Sequence, residues 1–128
     1  MIRWIALMLV LVFAISSGAQ ADSTRVDLYR LGNSSSPRMD NVREKDVEMF
    51  ERDGKTWVKA KSGGVSTFSK PSGKSNEWRL KKGTSFPSKL RVYNDHGDHW
   101  QWEPEVDMPL DDYIDLLRQV NRLFEKIS

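Results

Sequence analysis

Apolar and polar side chains alternate along most of this chain, and the period changes only near its end. In "RVDLYRLG" the alternation puts Val26, Leu28 and Arg30 on one face and Asp27, Tyr29 and Leu31 on the other, which predicts a strand. Gly32 and the Ser-rich loop through Pro37 close it. "EMFERDGKTWVKA" centres on Asp53-Gly54, a pair suited to a type I′ turn, and predicts a hairpin. Gly63-Gly64 breaks the chain before "VSTF", where Val65 and Thr67 share a face opposite Ser66 and Phe68. "WRLKK" and "LRVYND" are further strands, the second with Leu90 and Val92 on one face. In "HWQWE", Trp100 and Trp102 turn to one side and His99, Gln101 and Glu103 to the other. Residues 38–46 are charged and weakly patterned, with room for a single helical turn.

After "HWQWE" the period lengthens. Pro109 suits a first helical position, and Asp111 and Asp112 follow where the helix dipole favours negative charge. Leu110, Tyr113, Leu117, Val120, Phe124 and Ile127 recur at three- and four-residue steps, which predicts an amphipathic helix of about five turns. Arg122 and Lys126 sit near its expected end. The fold class that follows is α+β: a small antiparallel β domain closed by a long C-terminal helix.

Residues 1–21 stand apart from this pattern. Arg3, the apolar run Trp4–Ile15 and the small-residue end Ala19-Gln20-Ala21 have the layout of a secretory signal peptide cleaved after Ala21. The run is shorter than the ~20 residues a membrane-spanning helix needs. The expected product is a secreted single domain, residues 22–128, with no membrane segment after cleavage. The chain has no Cys, so no disulfide holds it. Its 20 Lys and Arg face 18 Asp and Glu, and Arg3 belongs to the leader. That near balance argues against nucleic acid as the main partner, because phosphate binding needs clustered surplus positive charge.

Candidate chemistry is concentrated at three places. Arg30 lies at the end of an apolar row, where an always-charged guanidinium calls for an anionic partner in the protein or a ligand. Ser66 and Thr67 offer hydroxyls to both faces of one strand, and Gly63-Gly64 would let backbone approach a ligand closely. His99, Gln101 and Glu103 stand in a row on the polar face of the last strand. His99 and Glu103 as a ribonuclease-type acid/base pair would be roughly 13 Å apart along a strand, too far for direct contact. A non-catalytic glycan or protein-binding module would instead expose at least two of Trp57, Trp78, Trp100 and Trp102 side by side. "DHGDH" at 95–99 offers cation ligands, but these are equally ordinary turn residues, and no metal is expected.

Arg30, the Ser-Thr strand and Gln101-x-Glu103 occur in the order of the arginine, STS and Q/E-x-E elements of R-S-E mono-ADP-ribosyltransferases, which the chain resembles. From about Val26 to Phe124 it is also similar to the type VI secretion effector toxins with an ADP-ribosyltransferase-like fold and their fungal secreted relatives. "DLYRL", the "DG" turn, "SGGVSTF" and "WRLKKGTSFPSKLRVYND" carry that likeness. The resemblance implies an ADP-ribosyltransferase-like domain that takes NAD as co-substrate. It makes Arg30, Gly64, Ser66, Thr67 and His99 the cofactor-binding residues, and Glu103 with Gln101 the catalytic ones. Glu103 comes from the general R-S-E pattern rather than from the toxin family. Val65 stands where a bacterial member has Thr, with Thr67 supplying the hydroxyl. A macromolecular target in a recipient cell and an immunity protein are further implied partners.

Overall fold

Tight turns and short β-prone runs leave this backbone to satisfy its hydrogen bonds across sheets rather than along helices. The computed structural model describes residues 22–128, so the leader assigned to residues 1–21 lies outside the described residues. The strands are β1 (Asp22–Ser23), β2 (Leu28–Leu31), β3 (Met49–Arg52), β4 (Lys55–Val58), β5 (Val65–Phe68), β6 (Glu77–Leu80), β7 (Ser85–Phe86), β8 (Leu90–His96), β9 (His99–Pro104), β10 (Met108–Pro109) and β11 (Glu125–Lys126). One helix, α1 (Leu110–Asn121), lies between β10 and β11. All pairings are antiparallel. A six-stranded sheet runs β11-β6-β2-β5-β9-β8, a three-stranded sheet runs β10-β4-β3, and β1 pairs with β7.

The expected alternation holds where it matters for the core. Leu28, Val65, Leu80, Leu90 and Trp102 of the large sheet pack with Val58, Met108 and the buried helix residues Tyr113, Leu117 and Val120. Asp53 (φ 52°) and Gly54 (φ 74°) both take the left-handed conformation that a type I′ hairpin requires between β3 and β4. Residues 38–46 form two turns joined by irregular backbone rather than a helical turn, fastened by the Arg43–Asp46 ion pair.

The helix is shorter than the apolar spacing predicts. Its 12 residues make about three turns. Pro109 stands just outside it, as the cap and the last residue of β10, while Asp111 and Asp112 occupy the first turn as expected. At the other end Asn121 accepts from the Met39 amide (2.9 Å) and donates to Ser36 Oγ (3.1 Å), so its side chain serves a neighbouring loop. The chain then turns to pair Glu125 with Arg79 and Lys126 with Trp78. Phe124 keeps its place in the core from beyond the helix, whereas Ile127 is exposed. Sheet pairing overrides a helical period here because β11 gives β6 its second neighbour.

Gly63-Gly64 serves the protein's own backbone. A Cβ on Gly64 would stand 1.9 Å from the Trp102 carbonyl oxygen, and one on Gly63 would stand 2.4 Å from that of Asp46. The close approach expected at a ligand is therefore made to β9 by Gly64 and to the loop at Asp46 by Gly63. Tyr113 of α1 completes this junction by donating from its hydroxyl to the same Trp102 carbonyl (2.6 Å). Burial pushes its phenol well above the ordinary range, so the hydroxyl remains a donor. Because the obstacle is backbone, Gly64→Ala should cost about 3 kcal/mol, the upper part of the range for overpacking. The expected outcome is a fall of roughly 12 °C or more in thermal midpoint, readable by circular dichroism.

A candidate active site at the parting of two strands

Strands β2 and β5 are neighbours in the large sheet, yet they pair only at Tyr29 and Phe68. Beside that pair the side chain of Arg30 bridges the strands. Its Nη1 donates to the Ser66 carbonyl (2.7 Å), Nε to that of Pro37 (2.8 Å) and Nη2 to that of Arg38 (2.9 Å). The anionic partner expected for Arg30 is thus replaced by three peptide oxygens. A planar fork of fixed donors suits three carbonyls converging from different directions, which a lysine ammonium would match poorly. Burial lowers the Arg30 pKa to about 10, with the nearby Asp46 carboxylate acting against the shift, and the group stays ionised at neutral pH.

A cleft of about 650 Å3 opens along this parting. Tyr29, Arg30 and Leu31 of β2 and Ser66 and Phe68 of β5 line one part of it. Arg43, Lys70, Glu77 and Asp98 are the charged groups around the remainder. Glu77 is engaged, accepting from the amides of Ser72 (2.7 Å) and Gly73 (3.2 Å), and so fixes the loop at the mouth. Arg43 is held by Asp46, whereas Lys70 has no ion pair among the described residues. Phe68 is 42% exposed and leans on the His99 ring, their centroids 5.3 Å apart.

Ser66 is tied into a short relay at the edge of the cleft. Its Oγ lies 2.8 Å from His99 Nε2, and His99 Nδ1 lies 2.5 Å from Asp95 Oδ1. Burial pushes the Asp95 carboxyl up, but bonds from His99 and then His96 outweigh it and leave the net pKa below the ordinary value. An ionised carboxylate only accepts, so Nδ1 carries the imidazole proton. In the neutral ring Nε2 is then the acceptor, and the Ser66 hydroxyl donates to it. Carboxylate, imidazole and hydroxyl in this order polarise the hydroxyl oxygen.

The structure brings Arg30, Ser66 and His99 together and leaves the other candidates apart. Thr67 is fully buried on the opposite face, donating to the Trp100 carbonyl (3.1 Å) and accepting from Trp102 Nε1 (3.0 Å). Gly64 packs against β9, as described above. Glu103 shares the strand face of His99, as alternation requires, but it is 3% exposed and held by Arg91 Nε at 2.6 Å. That ion pair, on the cross-strand partner in β8, occupies the carboxylate expected to act on the ribose. Gln101 contributes only a long contact from its amide to Asp95 (3.4 Å).

Sequence reasoning missed Phe68 and Lys70 as parts of this cleft and Asp95 as the third member of the relay at its edge. Phe68 carried a signal, an aromatic on the polar face of a strand. Asp95 carried none, because a bulge decides where it points. Arg30→Lys should lower stability by roughly 2 kcal/mol, since an ammonium cannot match three carbonyls that converge from different directions, two of them partly buried. Chemical denaturation should show this as a lower midpoint with an unchanged slope.

A family model described as Tse2 ADP-ribosyltransferase toxin matches residues 17–127, nearly the whole chain. No curated protein and no solved structure matches at a significant level.

Proposed function

Since the chain belongs to the Tse2 ADP-ribosyltransferase toxin family, we propose that it is a secreted toxin that binds NAD in the cleft between β2 and β5 and consumes it by ADP-ribosyl transfer. The observation that carries this is the Ser66 hydroxyl, bonded to His99 and held at the rim of a 650 Å3 cleft. A cleft of this volume is within the usual range for small-molecule sites. Its lining also suits a dinucleotide. Phe68 and Tyr29 supply flat apolar faces, and Lys70 and Arg43 supply positive charge for a diphosphate.

The cofactor would supply a ribose carbon activated by its bond to a cationic pyridinium. Each side chain then has a limited task. Arg30 holds the Ser66 carbonyl and keeps the strand from shifting. Ser66 offers its hydroxyl to a polar group of the ligand, with His99 accepting the proton. A proton from an incoming nucleophile can pass to Ser66 Oγ as Ser66 passes its own to His99 Nε2, which makes the imidazole the general base of the site. Glu103 stabilises β8 against β9 through Arg91 and stays out of the chemistry.

The rival classes lose support. A ribonuclease pair of His99 and Glu103 would need a carboxylate that Arg91 now holds. Trp102 is in the core and Trp57, Trp78 and Trp100 are half-buried, so no flat tryptophan surface is on offer. The recipient-cell target and the immunity protein stay part of the proposal through family membership alone.

NAD consumption by the purified protein tests this, with wild type beside Ser66→Ala, His99→Ala and Glu103→Gln. Loss of His99 should cut turnover about 10²–10⁴-fold, the usual worth of a positioned acid or base, without loss of folding. Glu103→Gln should instead lower thermal stability by about 2 kcal/mol while folded protein keeps turning over NAD. Folded wild type that neither binds nor consumes NAD would sink the proposal.

A further inference from the structure

The turn joining β8 to β9 gathers both histidines of the chain around one carboxylate, and we infer that Asp95, His96 and His99 form a binding site for a divalent transition-metal ion of the zinc or nickel type. Regular strand alternation sends consecutive residues to opposite faces, which would separate Asp95 from His96. The β8–β9 register shifts between Asn94 and His96, so two residues of β8 stand opposite one of β9. A bulge of this kind re-aims a side chain. Here it brings the ligand atoms of all three residues within 4.8 Å of one another. The sequence expectation of no metal at "DHGDH" rested on treating it as an ordinary turn, and the bulge removes that premise.

The chemistry of the donors selects the class of ion. Two imidazoles and one carboxylate suit zinc, nickel or copper, whereas magnesium and calcium prefer oxygen sets. His96 Nδ1 lies 3.0 Å from Asp95 Oδ2, and His99 Nδ1 lies 2.5 Å from Oδ1. In a tetrahedral zinc site with bonds of roughly 2.0–2.2 Å, neighbouring donors stand about 3.3 Å apart. Capture therefore needs the two Asp95 contacts to widen slightly and the most separated donors, now within 4.8 Å, to draw closer, and the His96 side chain, 77% exposed, is free to provide both. The exposure also leaves room for water at the remaining positions. His99 already has the outer support usual for a metal-bound imidazole, because its other nitrogen is bonded to Ser66 Oγ at 2.8 Å. Asn94 Nδ2 steadies the turn by donating to the carbonyls of Gly97 (3.0 Å) and His99 (2.8 Å).

Occupancy would reverse one hydrogen bond in the cleft. With an ion on Nδ1, the single proton of the neutral His99 ring resides on Nε2 and is donated to Ser66 Oγ. The ion would thus turn the Ser66 hydroxyl from donor to acceptor on this contact. The metal site itself does not rest on the NAD proposal, and its test reads metal directly.

Calorimetric titration of the full chain with zinc, nickel and magnesium chlorides, beside ¹⁵N spectra of the imidazoles, decides the matter. The expected result is saturable one-to-one binding of zinc and nickel, with magnesium far weaker. His96→Ala and Asp95→Ala should each weaken zinc binding by at least about tenfold, and zinc should move the His99 proton from Nδ1 to Nε2. Exposed His96 carries no core contact, so that variant folds and the comparison stands. Absence of saturable zinc or nickel binding, binding that both variants retain, or magnesium binding as tight as zinc would each overturn the inference.

Discussion

A single guanidinium holds this sheet together where its backbone does not. Between β2 and β5 the ladder consists of one pair, and Arg30 adds a side-chain bond to the Ser66 carbonyl where further rungs are missing. A side chain in that role leaves space along the strands that continuous pairing would close. The cleft and the integrity of the sheet therefore have a common cause. Arg30 is costly to bury, as its lowered pKa shows, and three carbonyls offset that cost. The loop bearing Pro37 and Arg38 is anchored by the same fork, so Arg30, which lines the cleft, is itself held in place.

Strand alternation made much of this readable in the amino-acid sequence. The faces of Val65, Ser66, Thr67 and Phe68 were legible from period two, and so was the row His99, Gln101, Glu103. Alternation says which side a residue faces and nothing about its partner there. Glu103 was correctly placed on the face of His99, but its ion pair with Arg91, opposite it on β8, could not be seen without the register. Arg30 was recognised as needing partners, but backbone carbonyls have no signature in a sequence. Asp95 was hidden more deeply. A single extra residue in β8 rotates it toward His99, and only the paired strand reveals the shift.

The helix shows the opposite limit. Its apolar period ran on through Phe124 and Ile127, so local pattern alone extended it. What ended it was nonlocal: a loop at residues 36–39 needing the Asn121 amide, and an unpaired edge of β6. Gly64 gave a true signal with a mistaken object. Its missing side chain does mark a close backbone approach, and the backbone belongs to β9.

On the function proposed above, the position of the base would follow from these constraints. In the R-S-E pattern a carboxylate on the last strand faces the ribose, and here that strand position carries a carboxylate already neutralised by Arg91. Releasing Glu103 would leave the Arg91 charge unpaired and uncover a buried group, so its recruitment would have to be repaid by the ligand. His99 needs no such release. It stands four residues earlier on the same face, oriented by Asp95 and already touching Ser66. A general base should be within hydrogen-bond reach before its acidity matters, and by that criterion the imidazole is preferred over the carboxylate. On the proposed reading, the same strand keeps the polar row of the R-S-E pattern and the proton-accepting task falls at its beginning rather than its end.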